Sequence, residues 1–192
     1  MTNRPFLTFA LCAALLVPTH SLADEVSDRL TAAMTAYEAG DLKTTSSELT
    51  AATTALSARK AALLEALLPP APDGWTRDLS TDYAANLAMA GGGTGAEARY
   101  TDPEGTGLTI TIISESPLMA MMMGMFATEQ TMAMMGKVID VGGAKMIDQD
   151  NSLLTVVDQR LMVTINGAET AKLIPLAEMI DFAALAAYDG GS

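Results

Sequence analysis

Thiol and imidazole are nearly missing from this chain. Its 192 residues hold one cysteine and one histidine, Cys12 and His20, both within the first 23 residues. That stretch has the layout of a secretory leader. Arg4 is the positive n-region, Phe6 to Val17 the apolar core, and Ser21-Leu22-Ala23 the small-residue cleavage site. Its removal as a signal peptide, residues 1–23, leaves 24–192, expected to carry neither side chain. Disulfides, thiolate nucleophiles, Ser-His-Asp triads and Cys/His zinc or haem sites are then excluded within one chain. Lipidation of Cys12 is disfavoured, because the apolar core runs on past it to that cleavage site.

Positive charge is also scarce. Eleven Lys and Arg face 23 Asp and Glu, a net charge of -12, and the leader removes one Arg and no acid. A broadly anionic surface argues against nucleic acid and anionic lipid, which reward clusters of Lys and Arg. No later segment has the roughly 18 consecutive apolar residues of a membrane span. The expectation is an exported protein of the bacterial periplasm. Aromatics after the leader are few: Tyr37, Trp75, Tyr83, Tyr100, Phe126, Phe182 and Tyr188. Packing must therefore rest on Leu, Ile, Val, Met and Ala.

Residues 24–68 contain no proline before Leu68 and a single glycine, so they read as helical. Leu30, Met34 and Tyr37 form one amphipathic stripe, and Leu42, Leu49, Leu56 and Leu63 recur every seven residues. Gly40-Asp41 between them supplies a C-terminal glycine and an N-cap. The second core position of a heptad is weak, with Thr45, Ala52 and Arg59. A hairpin packed on itself or on the next domain is expected, with homo-oligomerisation through 24–68 as the alternative. The phrase Ala36 to Leu42 resembles a tetratricopeptide helix–turn–helix, but one unit makes no repeat groove.

The linker 69–74, Pro69-Pro70-Ala71-Pro72-Asp73-Gly74, stops the helix, and Trp75 after it is expected to anchor the domain 75–192. Gly91 to Gly95 lacks the Lys and Ser/Thr ending of a phosphate loop and reads as a flexible connection. Alternation from Ala96 to Tyr100 and Leu108 to Ile112, around Asp102-Pro103-Glu104-Gly105, predicts a β-hairpin. Short strands are predicted at Val138 to Val141, Lys145 to Gln149, Leu153 to Val157 and Leu161 to Ile165. Turns fall at Gly142-Gly143, Asp150-Asn151 and Asp158-Gln159. A closing helix is predicted from Ala168 to Ala187, with Pro175 in its first turn.

The fold class is α+β: an N-terminal helical hairpin, then a mainly antiparallel sheet packed against helices. The Leu68 to Trp75 phrase, the Tyr100 to Ile112 hairpin and the Ser116-Pro117-Leu118 helix start resemble uncharacterised exported bacterial proteins. The fold implied is similar to the α/β/α sandwich of the PsbP and Mog1 group, over Trp75 to Tyr188. Proteins of that group mostly act as accessory or binding factors, so the resemblance implies a non-enzymatic role; it carries over no functional residue.

Eight of the 14 methionines lie between Met119 and Met135. Three readings compete for this segment. One is core packing by flexible thioethers. A second is a surface of Leu118, Met119, Met121, Met122, Met123, Met125 and Phe126 that docks an envelope protein or apolar ligand. The third is Cu(I) or Ag(I) capture by Met119, Met121, Met123 and Met125, since i to i+4 spacing on an α-helix brings sulfurs together. Asp148, Asp150, Asn151 and Asp158 could gather around Ca(II), although EF-hand spacing is absent. Glu115 is the most interesting lone acid, with helix capping or solvation as its simpler role. The functional expectation is a periplasmic adaptor without catalytic residues or an obligatory cofactor, working through the hairpin, the Met-rich helix or both. Cu(I) and Ca(II) binding are the alternatives.

Overall fold

The Pro-rich linker divides two kinds of packing. The computed structural model describes residues 22–83, 86–87, 92–115, 123–126 and 128–188. Helix α1 (Leu22–Glu38) and helix α2 (Leu42–Leu67) form the antiparallel hairpin. Gly40 takes φ of 75°, the left-handed conformation that a residue without Cβ enters at low cost. The Asp41 N–H then reaches the Ala36 carbonyl at 2.9 Å, and the Gly40 N–H reaches Tyr37 at 3.0 Å. Together they close α1 with a Schellman motif. Asp41 also starts α2, its carboxylate accepting the Thr44 N–H at 3.0 Å.

Seven antiparallel strands follow: β1 (Thr76–Leu79), β2 (Thr94–Thr101), β3 (Gly107–Ser114), β4 (Lys137–Val141), β5 (Ala144–Asp148), β6 (Ser152–Val157) and β7 (Leu161–Asn166). Their spatial order is β1-β2-β3-β7-β6-β5-β4. The chain therefore leaves the sheet's middle after β3, returns at the far edge, and meanders back to β3. Gly142 and Gly143 between β4 and β5, and Asp158 and Gln159 after β6, all have positive φ. Paired left-handed residues match the right-handed twist of the strands they join.

One sheet face carries the core. Ala98, Tyr100, Leu108, Ile110, Ile112, Leu153, Val163 and Ile165 are fully buried there against Leu64 of α2 and Leu173 and Leu185 of the C-terminal helices. Burial of each large aliphatic side chain stabilises by about 1.5–3 kcal/mol. Trp75 packs half-buried against this core, in the anchoring position expected of it. Gly95 corrects the flexible-connection reading of 91–95 at its end: it is a buried residue of β2, while Gly92 and Gly93 stand before the strand and Gly91 lies outside the described residues. A Cβ there would stand 2.8 Å from the Ile112 carbonyl oxygen and 2.8 Å from Tyr83, so a close approach, rather than a loop, explains the glycine.

The closing helix is also two helices, α4 (Thr170–Ala177) and α5 (Phe182–Ala187), after a short α3 (Glu129–Ala133). Asp181 ends the continuity, its carboxylate accepting the Ala184 N–H at 2.8 Å to begin α5. Pro175 lies inside α4 rather than in its first turn, and α4 ends two residues later. Pro175 cannot donate the backbone hydrogen bond of its position, and it lines one cavity together with Trp75 and Pro103.

Two polar contacts fasten the hairpin to the sheet. The Tyr100 hydroxyl donates to the Pro69 carbonyl at 2.6 Å. The Arg77 guanidinium donates to the Glu65 carbonyl at 3.0 Å and so caps the last turn of α2. Leu64 and Leu68 join the sheet's core from the same end of α2, where Ala61 is also buried. The earlier turns of α2 pack chiefly on α1, so the hairpin forms an arm rooted at one end.

Candidate functional site on the helical arm

The arm is sealed by small residues. Ala33 of α1 and Ala52 of α2 are 3% and 4% exposed, and Ala55 is buried beside them. The predicted apolar stripes do not form this seam. Leu30, Met34, Tyr37, Leu42, Leu49 and Leu56 are between 42% and 68% exposed. Leu63, nearer the root, is also exposed. This corrects the expectation that the hairpin packs on itself through its leucines. Alanine lets the two backbones close together, and the long side chains rotate to the margin.

The positions follow a rule. Leu30 and Tyr37 stand three before and four after Ala33; Leu49 and Leu56 stand three before and four after Ala52. Both offsets turn the side chain about 40–60° from the seam in the same rotational sense, at 3.6 residues per turn. In an antiparallel pair, equal rotation brings both sets to one side. The opposite rotation places charge on the other side. There Glu25, Asp28, Arg29 and Glu48 line one cleft, with Arg29 3.3 Å from Glu48 and 3.9 Å from Glu25. The arm is thus amphipathic across its width, with an apolar side and an ionic side.

Several hydroxyls of the arm are occupied internally. Thr31, Thr35, Thr50 and Thr53 each donate from Oγ1 to the carbonyl four residues earlier, at 2.9 to 3.0 Å. Such back-bonding satisfies the donor within the helix and leaves the methyl group outward.

The other predicted sites lie elsewhere. Leu118, Met119, Met121 and Met122 fall outside the described residues. Met123 to Phe126 is a single 3-10 turn, and α3 is a separate helix capped by Thr128. The expected i to i+4 sulfur pairs, Met119 with Met123 and Met121 with Met125, each have a member outside the described residues; within the described part, Met123–Phe126 is a 3-10 turn with three residues per turn, and the Thr128 capping box starts a new helix at Glu129. Phe126 is half-buried and shares a cavity with Met132, Val157 and Phe182.

The four calcium candidates are not brought together. Asp148, Asp150 and Asn151 stand before β6 and Asp158 after it, about 20 Å apart at the rise of an extended strand. Asp148 accepts the Thr170 hydroxyl and the Asp150 N–H, while the Asp150 carbonyl accepts the Thr170 N–H at 2.9 Å. These residues tie the β5–β6 turn to the start of α4. Asp158 pairs with Arg160 at 2.8 Å. Among the described residues, no three His, Cys, Asp or Glu side chains are grouped as a metal site. Glu115 takes φ of 55° and pairs with Lys60 at 2.7 Å, a further link from α2 to the sheet.

Comparison with protein-family models, with curated proteins and with solved structures gives no match. The resemblance of 68–75 to exported bacterial proteins therefore brings no function to this chain.

One further cavity, about 370 Å³, lies beside Trp75, Pro103, Lys172 and Pro175. Its charged groups satisfy one another. Lys172 lies 3.3 Å from Glu104 and 3.6 Å from Asp102, and Asp102 accepts the N–H groups of Glu104 and Thr106. On the other sheet face, burial and then the neighbouring Glu97 push the Tyr83 hydroxyl up to about 12. It stays protonated at neutral pH. The arm carries the larger unmet demand: apolar surface with nothing over it among the described residues. No described helix is long and apolar enough to cross a membrane.

Proposed function

We propose that this protein is an exported, non-enzymatic adaptor whose helical arm is its docking element and whose sheet domain is the rigid base. The reading rests on one observation, the row of Leu30, Met34, Tyr37, Leu42, Leu49 and Leu56 open on one side of the arm. Isolated exposed leucines are ordinary; a contiguous row with an ionic opposite side marks an interaction surface. Tyr100, Arg77 and Lys60 hold the root of the arm, so a partner meets a surface already in place. Little ordering entropy then opposes docking.

A photo-crosslinking residue at Leu49, introduced in the native host, tests this. Adducts should form from position 49 and be absent from Ser47, on the other side of α2. Equal adduct formation at both positions, or none at either, rejects the arm as the docking element.

A further inference from the structure

We infer that the occupant of the arm's apolar side is a second copy of this chain, the two hairpins pairing face to face as an antiparallel four-helix bundle. The inference rests on the docking-arm reading and names its partner.

Three features point to self-pairing. The first is area. The six side chains leave on the order of 600 Å² open on each copy, toward the roughly 800 Å² that each partner contributes to a standard interface. Thr53 and Leu63 extend the row at its margin. The second is charge. A chain with 23 acids against 11 bases repels its own copy unless the facing surfaces are neutral. On the arm, Glu25, Asp28 and Glu48 lie on the opposite side, and the six side chains of the row are themselves uncharged. The third is form. Leu42, Leu49 and Leu56 recur at seven residues, beside Leu30 and Tyr37 at the same interval. Two antiparallel helices with parallel apolar rows make half of a four-helix bundle, and a two-fold axis supplies the other half from the same surface.

The test is sedimentation equilibrium of residues 24–192, wild type against Leu49→Glu/Leu56→Glu, with Glu25→Gln/Asp28→Asn as the opposite-side control. Wild type and control should be dimeric at micromolar concentration, and the leucine double variant should dissociate at least about 100-fold more readily. All three should share one circular-dichroism spectrum, since every changed side chain is exposed. A wild-type protein that stays monomeric to about 100 μM overturns the pairing. A dimer that persists unchanged in the leucine variant also overturns it. A monomer that still gives foreign adducts from position 49 defeats the pairing alone; a monomer without adducts defeats the arm reading as well.

Discussion

The arm and the sheet domain solve burial in opposite ways. In the sheet domain, Leu108, Ile110, Ile112 and Ile165 are fully covered, and the helices bring Leu64, Leu173 and Leu185 down upon them. In the arm, alanines hold the seam and the leucines stand at its edge. Apolar stabilisation scales with the area covered, so the sheet domain carries most of this chain's own stability. Hairpins sealed by alanine draw more on helix propensity, on the Gly40 and Asp41 caps, and on their attachment at the root. The difference separates apolar residues that are covered from apolar residues that are left exposed.

The sharpest way to break that comparison is to truncate one apolar residue in each region. Ile110→Ala should destabilise the sheet domain by about 2–5 kcal/mol in urea unfolding, since it opens a cavity in a covered core. Leu49→Ala, measured dilute enough for arms to be unpaired, should cost under about 1 kcal/mol. Equal losses would mean that the leucine row already supports the monomer.

Enlarging the seam sharpens the contrast. Ala52→Leu should cost about 1–3 kcal/mol and reduce helicity, because the closely spaced helices must separate to admit it. The same change at exposed Ala58 should leave both quantities nearly unaltered.

Loss of the joint between the regions should be smaller. Tyr100→Phe leaves the Pro69 carbonyl without its 2.6 Å donor and should cost about 1–2 kcal/mol. Hydrogen exchange should quicken in the last turn of α2 before it changes in β3. Exchange that quickens uniformly would show that the arm does not open from its root.

The last effect appears only in alkali and is silent at neutral pH. The folded pKa of Tyr83, near 12, lies above its ordinary value of 10.0, so folding favours the protonated phenol. That stabilisation is complete below about pH 10 and is lost as pH rises toward 12, where the unfolded chain has already released its proton. Tyr83→Phe should flatten the stability-versus-pH curve across this window. An unchanged slope would assign the alkaline loss to Tyr100 and Tyr188, which burial also raises.

Much of this architecture was legible because local patterns speak for local structure. Alternating residues in β2 and β3, paired turn residues at 142–143 and 158–159, and the Gly40-Asp41 break all produced the elements they predict. Asp181 was a missed signal, a capping residue inside an apparently continuous helix. Gly95 was misread because a glycine run looks alike in a loop and in a strand pressed against Tyr83 and Ile112. The leucine row was visible too, yet its exposure was not. The clue was the placing of Leu30 and Tyr37 around Ala33, and of Leu49 and Leu56 around Ala52.

Sequence alone determined where helices and strands start and stop, since caps, turns and residue period act over a few bonds. It could not determine which of two neighbouring stripes on each arm helix would be covered. The alanine stripe and the leucine stripe share the helical period and differ only in how closely they let a second backbone approach. Tertiary structure decided for alanine, because close packing of α1 on α2 and the fixing of α2's end by Leu64, Arg77 and Tyr100 set the rotation of both helices. That rotation, which depends on contacts far apart in the chain, turned the leucines outward.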